Sequence, residues 1–227
     1  INDIGKKYMV KKGEKPQWYQ KGQEHLWYPY AQMQTMPDPI AIKSTDGCLL
    51  TLEDGSTLID GIASWWTACH GYNHPHIQSA LEKQLKTMPH VMFAGTAHEG
   101  ASILASRLSK LTKMDKVFLT DSGSTAIETA MKIAVQYWHH KGEKGREKFI
   151  SFQGGYHGDT MGCMSLCDPD SGLHAAFKHH VPKQYSVPIP ADEYGFAEFD
   201  DLLGDMAKKI AGVIIEPLVQ GAGGMKF

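Results

Sequence analysis

The 227-residue chain is expected to adopt an α/β fold with a mostly parallel sheet. Short apolar runs at Val117-Phe118-Leu119, Phe149-Ile150-Ser151-Phe152 and Val213-Ile214-Ile215 read as core strands. Helical periodicity separates them. Ile127, Met131, Ala134 and Trp138 share one face of a helix over 125–140, and Phe199, Leu202, Leu203 and Met206 share a face over 196–210. Strand, helix and strand in that order form the βαβ alternation that builds a parallel sheet.

The elements follow in chain order. Residues 1–15 are a basic, polar lead-in without the apolar stretch of a secretory signal. Aromatics and prolines crowd 18–39, which suits an extended arm lying over a surface. From Ile40 to Asp60, short alternating runs surround Asp46-Gly47 and Asp54-Gly55, the pattern of small antiparallel strands. Ser64-Trp65-Trp66 reads as extended chain. Neighbouring side chains there point to opposite faces, so at most one tryptophan need be core, although both could equally be packed. After the turn-rich Gly71-Tyr72-Asn73-His74-Pro75, helical stripes run through Ile77, Leu81 and Leu85, and through Ile103, Leu104, Leu108 and Leu111. Pro182 to Tyr194 is expected as a crossing loop. Val213 to Ile215 should be a buried strand ending at Glu216-Pro217, followed by the loop Gln220 to Gly224. The division is an N-terminal arm and small-domain segment, 1–75, and the first part of a large domain, 76–227.

Composition narrows the class. With 42% hydrophobic residues the chain can bury a core, and 23 basic against 25 acidic residues, interspersed, give no nucleic-acid stripe. No apolar run approaches the roughly 20 residues that span a bilayer. Cys48, Cys69, Cys163 and Cys167 read as reduced thiols of a cytoplasmic protein. Cys163 and Cys167 with His157 invite a zinc site, but the spacing is wrong for structural zinc and no metal is expected. His139-His140 and His179-His180 read as exposed pairs rather than ligands.

Two loops carry chemistry. Asp121-Ser122-Gly123-Ser124 follows the first apolar run and opens a helix, where backbone N–H groups and the positive helix end suit a phosphate. Taken alone it is as readily an ordinary cap, with Ser122 or Ser124 as N-cap and Glu128 in the first turn. No Gly-Lys-Ser/Thr follows, so it is not a Walker loop. Gly154-Gly155-Tyr156-His157-Gly158-Asp159-Thr160 follows the second run. Its glycine density suggests close backbone approach, while a tight turn around a half-buried tyrosine is the simpler reading. The ring of Tyr156, with His157 and Asp159 around it, could hold a flat heteroaromatic cofactor. Together the loops read as a pyridoxal 5′-phosphate pocket. Glu216, at a strand end, either faces the cofactor edge or is a cap or solvated carboxylate. One of Trp65 and Trp66 is a candidate wall for a flat substrate.

The whole pattern resembles the class III pyridoxal-phosphate-dependent aminotransferases of fold type I. It is carried by Leu26-Trp27-Tyr28-Pro29-Tyr30, Ser64-Trp65-Trp66, His70 to Pro75, Asp121 to Ser124, Gly155 to Thr160, Glu216-Pro217 and Gln220 to Gly224. Within the family the aromatic segments are most similar to the branch that serves biotin synthesis. The resemblance implies that Gly123 and Ser124 hold the cofactor phosphate and that Tyr156 packs on the pyridine ring, with His157 and Glu216 also at the cofactor. Tyr30, Trp65, Tyr156 and Asp159 would contact substrate. It further implies a homodimer moving an amino group from S-adenosylmethionine to 8-amino-7-oxononanoate. A different ω-aminotransferase acting on a diamine or amino acid, or a non-catalytic chain, are the alternatives. The family's Schiff-base lysine, its aspartate at the pyridine nitrogen and its carboxylate-binding arginine match no position here. No catalytic residue is therefore assigned, and the chain is expected to be the N-terminal part of a longer protein, incomplete at the C-terminus.

Overall fold

A computed structural model describes residues 15–168 and 174–222. The lead-in through residue 14 and Gly223-Gly224 of the last loop lie outside the described residues. The described chain forms two compact units, one up to Ala97 and one from His98 onward. The division read at 75/76 falls at the start of a helix inside the first unit.

The first unit opens with α1, Gln17–Gln23, where an extended arm was expected. Pro16 precedes it with φ −62, an angle preset for a helix start, and no further proline intervenes before Pro29. Tyr19 is buried, and its hydroxyl donates to the Pro39 carbonyl at 2.9 Å. The antiparallel expectation holds. β1 (Ile42–Asp46), β2 (Leu49–Leu52) and β3 (Thr57–Ile59) form a meander in the order β1-β2-β3. Gly47 and Gly55 turn its corners at φ +54 and +84, angles that favour glycine. Helix α2, Pro75–Thr87, carries the first apolar stripe, with Leu81 and Leu85 exposed.

The second unit contains α3 (Glu99–Thr112), α4 (Gly123–His140), β4 (Lys148–Phe152), α5 (Met161–Met164), a 3₁₀ turn at Ala175–Phe177, β5 (Tyr185–Val187), α6 (Glu193–Met206) and β6 (Ile210–Val213). The sheet is parallel, in the order β5-β4-β6. Its centre is the core: Phe149, Ile150, Ser151 and Phe152 of β4 are all buried.

Four expectations change here. Val117 to Leu119 joins no ladder among the described residues, and Phe118 is exposed; a strand exists only through a neighbour. The last strand is Ile210–Val213 rather than 213–215. Ala211 and Gly212 break the apolar run there, and Gly212 lets the Phe149 ring lie within 3.5 Å of where its Cβ would stand. Val213 and Ile215 are exposed rather than buried. The supposed crossing loop contains β5, three residues between Pro182 and Pro188 and too short to show alternation. Helix α6 begins earlier than expected because the Asp192 carboxylate accepts from the Gly195 N–H at 2.8 Å, an N-cap.

Side-chain anchors fix α4 against the sheet. Trp138 Nε1 donates to the Ala211 carbonyl at 2.8 Å, and Arg146 Nε donates to that of Ile210 at 2.8 Å. The Arg146 guanidinium lies 3.4 Å above the Trp138 ring. These contacts tie the helix to β6, the strand that leads to Glu216.

Candidate active site

Ser122 is the N-cap of α4 and forms a reciprocal capping box with Thr125. The Thr125 N–H donates to Ser122 Oγ at 3.2 Å, and the Ser122 N–H to Thr125 Oγ1 at 3.0 Å. The cap reading of this tetrapeptide is correct for Ser122, and it leaves the next residues open. Gly123 and Ser124 occupy the first two helical positions, where amides have no intrahelical acceptor. A Cβ on Gly123 would meet nothing within 4 Å. The cap therefore leaves the Gly123 and Ser124 amides without an intrahelical acceptor. Glu128 lies in the second turn, not the first, and its carboxylate accepts from the Gly162 N–H at 2.7 Å.

The second loop packs directly on the first. Ser124 Oγ accepts from the Asp159 N–H at 3.2 Å, and the Cys163 thiol donates to the Ser124 carbonyl at 3.2 Å. Gly158 stands at φ +126, and any Cβ there would fall on Ser124 Oγ and lie 2.7 Å from Ser124 Cβ. Close backbone approach is the reason for this glycine. The Cys163 and Cys167 thiols are buried, and burial pushes both up from the usual thiol value.

Glu216 is neither a cap nor a solvated carboxylate. One oxygen accepts from the Tyr156 N–H and the other from the Gly221 N–H, each at 3.0 Å, so it joins the loop after β4 to the loop after β6. His157 is buried, which holds its imidazole below the usual histidine range, with the Glu216 charge opposing. Tyr156 donates its hydroxyl to Asp159 Oδ2 at 2.7 Å.

These residues converge on a cavity of about 810 Å³. Gly123, Ser124, Ala126 and Ile127 line it from α4; Tyr156, His157 and Gly158 from the second loop; and residues 214–219 from the chain beyond β6. It lies beyond the carboxyl ends of parallel strands, where α/β sheets place ligands. Of the expected cofactor residues, Gly123, Ser124, Tyr156, His157 and Glu216 all line it. Asp159 does not line it but is tied to Tyr156.

Tyr30 and Trp65 belong to the first unit, where their rings meet edge to face at 5.2 Å. The segment is not extended as expected. Ala63, Ser64, Trp65 and Trp66 all have left-handed φ, from +46 to +67, and so does Tyr30 at +51. Such angles cost on the order of 1 kcal/mol for each non-glycine residue. Asp60 braces this turn: its carboxylate accepts from the Ile62 N–H at 3.2 Å, the Ser64 N–H at 2.7 Å and the Tyr72 hydroxyl at 2.5 Å. Both tryptophans are exposed, so neither is core.

Sequence reasoning missed the apolar wall at 214–219, because Ile214 and Ile215 were assigned to a strand that ends at Val213. It also missed His174. That ring stacks on Tyr156 at 6.0 Å and 24°, and its Nε2 lies 2.8 Å from Asp159 Oδ1. No local pattern marks it. Asp60 could have been found, since an aspartate ahead of a turn often takes backbone N–H groups.

Comparison with known proteins bears on the family and the fold. The class-III aminotransferase family matches residues 30–227. The adenosylmethionine-8-amino-7-oxononanoate aminotransferase of Buchnera aphidicola subsp. Schizaphis graminum is 42% identical over 213 residues, 90% of this chain and 49% of that protein. The enzyme of that name from Saccharomyces cerevisiae is 36% identical, with 89% of this chain and 47% of that protein covered. Among solved structures, the one of that name from Methanocaldococcus jannaschii matches with a TM-score of 0.84 at 30% identity, covering 91% of this chain and 48% of that one. A PLP-bound amine transaminase from an uncultivated Pseudomonas species matches with a TM-score of 0.77 at 30% identity, covering 88% and 50%. The expected α/β architecture is thus that of the fold type I aminotransferases. The chain spans about half the length of the curated relatives it matches. Two loops meeting at one helix end, the parallel sheet beneath them and the match over residues 30–227 lead to one conclusion: the chain belongs to the class-III aminotransferases.

Proposed function

We propose that the whole protein transfers an amino group from S-adenosylmethionine to 8-amino-7-oxononanoate, giving 7,8-diaminononanoate for biotin synthesis. The observation that carries this is the cavity joining the α4 N-terminus to the Tyr156 loop, in a chain 42% identical to relatives of that name. The residues present fit pyridoxal 5′-phosphate. The amides of Gly123 and Ser124 and the open space over Gly123 would take its phosphate, and Tyr156, His157 and Glu216 would surround its ring. When bound, this cofactor supplies the electron sink for amino-group transfer. The chain's own residues bind, orient and exclude water. Glu216 fixes the Tyr156 backbone, buried His157 closes one wall, and residues 214–219 make the pocket apolar. Tyr30 and Trp65 would wall the substrate, and Asp159 would act at the pocket edge.

On this reading the first unit supplies the arm and small-domain segment, and the second the first part of the cofactor-binding domain. The protein works as a cytoplasmic homodimer, in keeping with four cysteines that are all unpaired. No helix among the described residues is long and apolar enough to cross a membrane.

The test is to assay the full-length protein, loaded with pyridoxal phosphate, with each donor in turn. Amino transfer from S-adenosylmethionine to 8-amino-7-oxononanoate is expected. Turnover only with a diamine or simple amino acid would transfer the assignment to the ω-aminotransferases.

A further inference from the structure

We infer that His174 is a positioning residue that sets the orientation of the Asp159 carboxylate toward a cationic amino donor. The inference rests on the aminotransferase reading above. Asp159 is held at three points: its N–H donates to Ser124 Oγ at 3.2 Å, its Oδ2 accepts from the Tyr156 hydroxyl at 2.7 Å, and its Oδ1 lies 2.8 Å from His174 Nε2. The two side-chain partners are also in contact, with the His174 and Tyr156 rings stacked at 6.0 Å. The three side chains therefore close a ring of mutual contacts.

Burial distinguishes the partners. The His174 side chain is 10% exposed, whereas that of Asp159 is 48% exposed. The histidine is the fixed member, and the carboxylate is the one presented outward. The Nδ1 atom of His174 is buried and has no hydrogen-bond partner among the described residues. Its ring is thus held by stacking and by one bond through Nε2. That bond acts on Asp159 rather than on solvent, which is why His174 works through another residue.

A carboxylate held at both oxygens presents its charge in one direction. S-adenosylmethionine carries a net positive charge through its sulfonium, while 8-amino-7-oxononanoate is a zwitterion without net charge. Loss of carboxylate orientation should therefore weaken the donor more than the acceptor.

The experiment uses the full-length enzyme loaded with pyridoxal phosphate, with the variants His174→Leu, His174→Gln, Asp159→Asn and the His174→Leu/Asp159→Asn pair. KM for each substrate, kcat, cofactor absorbance and apoprotein melting are measured. His174→Leu is expected to raise the S-adenosylmethionine KM about tenfold, the size of one coupled polar contact, with a smaller change for the acceptor. Glutamine, whose amide can stand in for Nε2–H, should recover most of that loss. The double variant should be no worse than Asp159→Asn alone. Equal defects in the Leu and Gln variants, independent multiplication in the double variant, or a fall in melting temperature with unchanged KM would each overturn the inference. The Asp159→Asn variant separates the two levels. If it raises the donor KM while His174→Leu does not, only the role of His174 fails. If it leaves the donor KM unchanged, the substrate-site reading fails and the inference goes with it.

Discussion

The loop pair around Gly123 and the aromatic turn around Trp65 solve the same problem, holding a site residue still, by opposite means. At the first, glycine removes the side chain so that two loops can touch: Gly158 meets Ser124 where no Cβ would fit. At the second, non-glycine residues from Ala63 to Trp66 are wound into left-handed backbone, and one carboxylate, Asp60, braces them from inside. The first is rigid by contact and has little to adjust. The second is exposed, and a single side chain takes three hydrogen bonds there. On the proposed reading, the former would hold the cofactor and the latter would wall the substrate.

The sharpest way to break this contrast is Gly158→Ala. With φ at +126 and Ser124 in the way, the substitution should destabilise the full-length protein by roughly 3 kcal/mol. Denaturant melts of apo and cofactor-loaded protein should fall together. Little loss in either would mean that the loops are not packed as described.

Gly123→Val should behave differently, although Gly158 packs on Ser124, the very next residue. A side chain there meets open space, so the apoprotein should melt within about 1 kcal/mol of the parent. Pyridoxal-phosphate affinity should weaken at least about tenfold, read by absorbance titration. Equal losses in apo and holo melts would point to a structural glycine instead.

In the other region, Trp65→Ala removes the edge-to-face contact with Tyr30, worth about 1 kcal/mol. It should raise the substrate KM several-fold and leave the cofactor absorbance unchanged. Loss of cofactor at unchanged KM would move Trp65 to the wrong side of the comparison.

The smallest effect expected is on pH dependence. Burial holds His157 below its ordinary 6.5, so the unfolded state binds the extra proton first. Its contribution is complete above that pH and is lost as pH falls through 6.5 towards the folded value. Asp60 is held below its ordinary 3.8, with the Tyr72 hydroxyl as the main cause, so the aromatic turn keeps its brace until more acidic pH. Apoprotein melting between pH 7 and 5 should fall in the parent and flatten in His157→Gln. Asp60→Asn should leave that interval unchanged.

How legible these features were depended on how local their causes are. Helix α4 announces itself through Ile127, Met131, Ala134 and Trp138, and β4 through a short, mostly apolar run, because each pattern reports the face its element turns inward. The pocket loops were legible as glycine clusters. The strand expected at Val117 was not recoverable, since pairing is a property of two segments. Nor was β6, where Gly212 serves the packing of Phe149 and hides the run. The left-handed turn at Trp65 carries no glycine signal at all, and His174 reaches Asp159 across 15 positions without any spacing rule to mark it.

On the proposed reading, the capping box at Ser122 and Thr125 bears on the speed of cofactor capture. A helix end that depended on the arriving phosphate for its hydrogen bonds would fray in the empty protein and have to be rebuilt at each encounter. Here the serine and threonine close the end themselves. The amides of Gly123 and Ser124 are therefore already aligned before any anion arrives. Binding need not wait for the helix to form, and departure of the phosphate need not unravel it. The association rate should then be governed by diffusion into the cavity, and exchange of cofactor should leave the circular dichroism of the helix undisturbed.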